Sequence, residues 1–380
     1  MAFSFDTQPT AAGLSARSPI IYAVTESTAN DDYKYILDVF IHDATAAPTG
    51  TADYRLVCSP DGSNVGKFDV SKVAKSLIEP NFSINNSSLT SIKNANTSCR
   101  HITCKGGYID DSGTVNANQA TSSGVGVLTT EGYLDWNQAQ NSAWYVAGSY
   151  QTDMPTSGTA SINIPTSAIY YFPIVRNIIS AASFSTDDGT TGSISVGSSS
   201  SLASERVRYI PIGTRQLSLP TGVKWYDVTF THSGGSRTYR FNVTCEPKYD
   251  TYTVMFLNKY GVWDYVYFFK KSEETMNATK NMYRRINPSN SYEPQTRVYA
   301  KQGTESIQLN TGFVPESFDE VYKQMMLSEH IQIVEKNGST LEIPVTLTDN
   351  EITFKKGVNE QLLNYTFNFE YSYNAINTVW

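Results

Sequence analysis

Residues 251–270, TYTVMFLNKYGVWDYVYFFK, constrain the fold more than any other stretch. An apolar run meets a Lys-Tyr-Gly turn and leaves as an aromatic run, which is the pattern of a β-hairpin. Apolar and aromatic residues fall on both faces. A half-exposed strand keeps one face polar, so here both faces must be covered, by the chain itself or by neighbouring copies. The stretch points to a part of an assembly rather than to a catalyst.

The rest of the chain extends the β pattern. Tyr226, Val228 and Phe230 alternate with Trp225, Asp227 and Thr229, and after a Ser-Gly-Gly-Ser turn Tyr239, Phe241 and Val243 alternate with Arg240 and Asn242. That is a hairpin with one apolar face. With it in front, the 251–270 hairpin reads as the central pair of one four-stranded sheet, buried mainly within its own domain. Near the N-terminus, strands are expected at 20–24, 33–41 and 54–58. A helix follows at about 69–79, with Asp69 or Ser71 as cap and Pro80 as stop. A second helix is expected at about 315–329, opened by Pro315. Strands at 331–334, 341–347 and 352–354 follow. The final strand, 362–373, places Tyr365, Phe367 and Phe369 on one strongly aromatic face.

Low charge, 17 %, and 12 % aromatics suit strands and contact surfaces better than helices. The expected fold is therefore mainly β, with two or three β-sandwich-like domains and two short helices. Four segments are expected: an N-terminal β unit with a closing helix (1–80), a Ser/Thr/Asn/Gly-rich, loop-heavy β region (81–204), an antiparallel domain with two hairpins (205–300), and a helix plus β meander (301–380). The Ser-rich run 193–204 reads as an exposed loop or linker.

Function classes are narrowed mainly by what is missing. The net charge is −7 with no Lys/Arg block, which argues against nucleic acid as a partner. No apolar run approaches the ~20 residues of a membrane span. The start, MAFSFDTQPTAAGL, lacks a basic n-region and an apolar h-region, so no signal peptide is expected and the chain is expected to stay in a cytoplasm or enter a particle there. Cys58, Cys99, Cys104 and Cys245 then read as free thiols.

Cys99-Arg-His101-Ile-Thr-Cys104 is the one cluster of metal-ligand types, but it lacks the paired spacing of a zinc site. Gly62-Ser-Asn-Val-Gly66-Lys67 is one residue short of a phosphate loop and has Phe68 where Ser or Thr is needed, so it reads as a turn before the helix. The acid pairs at Asp31-Asp32, Asp110-Asp111 and Asp187-Asp188 sit beside turn residues and read as solvated loop acids. His232 and His330 read as surface residues. No catalytic, cofactor-binding or metal-binding residue is expected.

Three stretches carry a family resemblance: YKYILDVFIHD with YRLVCSPDGSNVGKFDVSKVAKSLI, YIPIGTRQLSL with YRFNVTCEPKYDTYTVMFLNKYGVWDYVYFFKKS, and LNTGFVPESFDEVYKQMMLSEHIQI with IPVTLTDNEITFKKGVNEQLLNYTFNFEYSY. Together they resemble virion structural proteins of tailed bacteriophages of Bacteroidetes, crAss-like phages among them. The resemblance leaves out most of 81–204. Its marker here is Leu257, Asn258, Gly261, Trp263 and Asp264. Asn258 and Gly261 are expected to set the turn, and Asp264 to bond backbone groups there.

The resemblance implies a non-enzymatic, multi-copy building block of a tail or baseplate, located in the virion. Identical copies in a symmetric ring and other virion tail proteins are the implied partners. Two rivals stay open: a host-recognition tail protein whose 81–204 loops touch a surface receptor or glycan, and a head- or collar-associated decoration protein. The aromatic final strand and the 81–204 loops are the expected subunit contacts.

Overall fold

The computed structural model describes residues 3–9, 13–27, 33–42, 50–80, 82–84, 88–95, 97–122, 127–133, 141, 156, 161–175, 179–197, 207–232, 235–245, 248–286, 292, 294–354 and 362–376. Among the sequence expectations, Asp31-Asp32 and residues 198–204 lie outside them. The fold is mainly β, with 58 % of the described residues in strands and 6 % in helices. Both expected helices are present in shortened form. One is Ser71–Ser76, with the Asp69 carboxylate accepting from the Ser71 amide at 2.9 Å. The other is Asp319–Met326, entered from Pro315 through one 3-10 turn, Glu316–Phe318.

Three buried cores organise the sheets. The N-terminal core lies between a three-stranded sheet (Phe3–Thr7, Ile21–Glu26, Val65–Asp69) and a six-stranded sheet built on Lys34–His42 and Cys99–Ile109. Tyr22 and Val24 from the first meet Leu37, Val39, Ile102 and Cys104 from the second. The central core joins a three-stranded sheet around Val207–Pro211 to a five-stranded sheet holding Trp225–His232 and Gly235–Thr244. Phe172 packs there at 4.7 Å from Phe230 and 4.8 Å from Tyr239. The third core sits on an eight-stranded sheet, whose main path is Trp263–Phe268, Tyr252–Leu257, Ile331–Lys336, Ser339–Leu347, Leu362–Tyr371, Thr296–Pro315 and Glu273–Arg284.

The double-faced hairpin explains how two cores stack. Met255, Leu257, Trp263, Tyr265 and Tyr267 face the central core, whereas Tyr252, Val254, Phe256, Val266 and Phe268 face the C-terminal one. Both faces are covered by the chain itself. The two hairpins do not form one sheet as expected. Trp225–His232 and Gly235–Thr244 belong to the five-stranded sheet, and the 252–268 hairpin to the eight-stranded one. Apolar residues of both hairpins share the central core, where Tyr170 lies between them and touches Phe241 at 5.4 Å and Tyr265 at 5.1 Å.

The sheets do not follow the four expected segments. Cys99–Ile109 pairs with Lys34–His42 across residue 80, and Thr296–Pro315 belongs with Tyr252–Leu257 across residue 300. Ser193 and Ile194, the first two residues of the expected Ser-rich loop 193–204, belong to the strand Thr191–Ile194, which pairs with Ile179–Thr186. Gly66 and Lys67 lie in the strand Val65–Asp69 rather than in a turn, because Val65 and Phe68 have Ile21–Glu26 to pair with.

The aromatic face of the last strand also turns inward. Tyr365, Phe367 and Phe369 are buried in the third core, where Tyr322 of the second helix meets Tyr365 at 5.2 Å and Phe367 at 5.4 Å. They are core residues, not a subunit contact. The intramolecular partner for that face is the helix stripe Val321, Tyr322 and Met325.

Candidate functional site

The turn at the tip of the 252–268 hairpin is where all three parts of the chain meet. The Asn258 side-chain oxygen accepts from the amides of Tyr260 at 3.0 Å and Val262 at 3.3 Å. Gly261 has φ +74° and donates to the Asn258 carbonyl at 2.9 Å. Asn258 and Gly261 thus set the turn, as their residue types suggest. A Cβ on Gly261 would stand 2.6 Å from the amide nitrogens of both Glu131 and Gly132, so the N-terminal unit rests on a surface that only glycine provides.

Backbone groups of this turn bond to the other two units. Thr130 Oγ1 donates to the Tyr260 carbonyl at 2.6 Å, and the Tyr133 amide to the Lys259 carbonyl at 2.8 Å. The Lys259 amide donates to Gln324 Oε1 of the second helix at 3.1 Å. The Trp263 amide donates to the Tyr209 hydroxyl at 3.0 Å, and its buried ring meets His330 edge-on at 6.4 Å.

Asp264 is buried, and its partners differ from the expected turn amides. One carboxylate oxygen accepts from the Tyr170 hydroxyl at 3.0 Å and the Tyr265 amide at 2.9 Å, and the other from Thr156 Oγ1 at 2.8 Å. The central unit, not the turn, satisfies this charge.

Beside the turn lies an ionic node. Arg17 reaches Glu131 at 2.6 Å and Glu329 at 2.6 Å, Lys75 lies 3.8 Å and 3.6 Å from the same two acids, and His330 stands 3.7 Å from Glu131. Burial pushes the Glu131 pKa up, but hydrogen bonds from His330 and Arg17 outweigh this and hold it below the usual value. Glu329 is likewise lowered, its desolvation outweighed by Arg17 and Lys75. Glu131, Glu329 and His330 have ligand atoms within 4.8 Å of one another, a spacing a metal can bridge. Arg17 already bridges the two carboxylates, so the node is satisfied as an ion-pair network. The crevice beside it measures about 10 Å3, room for one water at most. Sequence reading missed this node because its members are spread from residue 17 to residue 330 with no local spacing.

The other sequence candidates are dispersed. Cys99 faces the central core and Cys104 the N-terminal core, from opposite sides of one strand. His101 is buried and stacks on His42 at 6.0 Å. Asp110 accepts from the Ser112 hydroxyl and the Ser112 and Thr114 amides, and Asp188 from the Thr186 hydroxyl and the Thr190 amide, which lowers the pKa of each and explains both as turn-forming acids. His232 is buried, contrary to its expected surface position, because it closes the strand Trp225–His232 over the central sheet.

One feature had no counterpart in the sequence reading. Glu273–Arg284 pairs with Thr296–Pro315 as a long antiparallel ribbon, and every residue of Glu273–Arg284 is exposed. Met276, Met282, Tyr283, Ile286, Tyr292, Val298 and Tyr299 are between 42 % and 93 % exposed. The signal was available in Asn287-Pro288-Ser289-Asn290, a turn sequence flanked by Thr, Tyr and Val.

No known family model matches the chain, and no curated protein does. Solved structures that are similar at low level include three multidomain chains. CBD12 from CALX1.2 is 11 % identical over 60 % of this chain and 79 % of its own, with a TM-score of 0.18. A Dpr2 Ig1-Ig2 complex with DIP-Theta Ig1-Ig3 is 7 % identical over 98 % and 90 %, also at 0.18. The N-terminal four Ig domains of Dscam1 are 7 % identical over 81 % and 95 %, at 0.16. At these scores none bears on what this chain does.

Proposed function

We propose that this chain is a non-enzymatic structural component of a bacteriophage virion, a multi-copy tail or baseplate building block. The observation that carries the reading is the ribbon of Glu273–Arg284 and Thr296–Pro315, whose first strand is exposed throughout and which leaves Met276, Met282, Tyr283, Val298 and Tyr299 exposed. Two-stranded hairpins are marginal in water without a packed face, and exposed apolar patches mark contact surfaces. The marker residues of the resemblance support a scaffold role. Leu257, Asn258, Gly261, Trp263 and Asp264 are all occupied in joining the three units, which makes them fold determinants. Among the described residues, the long-helix pattern of a membrane span is not found.

The test is the protein content and cryo-electron microscopy map of purified particles from the phage that encodes this chain. Several symmetry-related copies in the tail or baseplate are expected. Absence from the particle, or glycan turnover by the purified chain, would overturn the proposal.

A further inference from the structure

We propose that the open end of the C-terminal sheet binds an organic cation, an ammonium or guanidinium group carried on an aliphatic stem. The eight-stranded sheet curls back on itself. Just past the strand Trp263–Phe268 at one edge, the Lys270 amide donates to the Asn310 carbonyl of Thr296–Pro315 at 3.3 Å. Phe268 meets Phe367 and Phe369 across the interior at 6.0 Å each. The second helix covers one end of this interior, where Tyr322 packs on Tyr365 and Phe367.

The other end is a mouth. Ile307 and Phe369 are paired core residues, and the next inward-facing residues along their strands are Glu305 and Tyr371. These two line a cavity of about 470 Å3 together with Glu274, Met276, Ile343 and Tyr373. Ligand cavities span ~300–1,000 Å3 and often occupy the mouths of β-barrels. Across this mouth Glu274 lies 3.8 Å from Lys336, which Asp250 holds at 3.3 Å.

The lining selects the ligand. Two acids share one lysine, and among the described residues no cation stands at ion-pair distance from Glu305. Burial raises the Tyr371 pKa, and the charges of Glu274 and Glu305 add to it against Lys336, so the cavity wall sits in a negative field. Beside Tyr371, the buried Tyr252 hydroxyl has no partner at hydrogen-bond distance, which leaves this end of the sheet short of donors. An anion or a neutral molecule would leave Glu305 unmatched. A bare metal ion would make no use of Met276, Ile343 and the two tyrosine rings. An ammonium or guanidinium head on Glu305, with its methylenes along Ile343 and Met276 and its charge beside the tyrosine rings, satisfies both halves of the lining.

The site goes beyond the proposed function and does not rest on it: particles without this chain would sink that reading and leave this one standing. The test is isothermal titration calorimetry of the full chain with agmatine, with the capped tripeptide acetyl-Gly-Arg-Gly-amide, and with n-pentanol as the uncharged control. Saturable one-to-one binding of a cationic probe is expected, and none of n-pentanol. Agmatine alone marks a free amine as the ligand, whereas the tripeptide marks an arginine or lysine side chain of a partner protein; either supports the site. Glu305→Gln is expected to weaken binding at least ~10-fold, since it removes the unpaired charge. Glu273→Gln, which loses only an exposed contact with Lys271 outside the cavity, is expected to leave it unchanged. Unchanged near-ultraviolet circular dichroism checks that both variants are folded. No binding of either cation at ~10 mM overturns the inference. So does n-pentanol binding as tightly as agmatine, an affinity that ignores Glu305→Gln, or one that Glu273→Gln weakens as much.

Discussion

Two hairpins adjacent in sequence and joined in one sheet have opposite fates. The 252–268 hairpin is buried on both faces, whereas the ribbon that starts at Glu273 is exposed along its whole first strand. Their backbones make the same antiparallel ladder. The difference lies in the side chains: apolar on both faces in the first, and threonine, asparagine and lysine mixed with scattered methionine in the second. The first hairpin spends its apolar surface inside the chain and holds three cores together. The second leaves a smaller apolar surface exposed.

The comparison is broken most severely by damage to the buried hairpin. Trp263→Ala is expected to cost ~3–5 kcal/mol, since its ring fills the central core beside the turn. Chemical denaturation checks this, and Met282→Ala on the ribbon should change stability by no more than ~0.5 kcal/mol. Asp264→Ala removes the acceptor for Tyr170 and Thr156 and is expected to cost ~1–3 kcal/mol. Gly261→Ala places a Cβ against the Glu131 and Gly132 amides at positive φ and is expected to cost more than ~1 kcal/mol.

A gentler break uses pH. Glu131 and Glu329 have folded pKa values below the usual ~4.3. The folded state therefore binds their protons less readily than the unfolded one. Their stabilisation is full above the unfolded value and is lost as pH falls through the folded values. Melting temperature is expected to drop below pH ~4 in the wild type. Glu131→Gln should start lower and drop less steeply, as followed by circular dichroism.

The smallest expected effect on stability sharpens the contrast. Replacing residues 280–301 by a two-residue Asn-Gly turn should leave the midpoint of denaturation within ~0.5 kcal/mol of the wild type.

What the sequence made legible follows the same division. Residues 251–270 announced their double burial because every second residue on each face is apolar or aromatic. The Asn258–Gly261 turn was readable from residue type alone. The alternation of Tyr365, Phe367 and Phe369 correctly marked one aromatic face, but period-2 patterning says only that a face is covered, not by what. Its cover is the second helix. The ribbon's strands were hard to see because residues 273–284 lack a clean apolar alternation, the signal strands are found by, and only the turn residues 287–290 marked them. The ionic node of Arg17, Lys75, Glu131, Glu329 and His330 was beyond local patterning, since both the N-terminal and the C-terminal unit contribute to it. The boundaries at 80 and 300 failed because strand partners are chosen across sequence, as Cys99–Ile109 chooses Lys34–His42.

Amide hydrogen exchange of the full chain in dilute solution tests the central contrast most directly. Amides of the 252–268 hairpin are expected to exchange only through global unfolding. Amides of 275–284 and 296–306 are expected to exchange fast. A ribbon as protected as the hairpin would contradict the account.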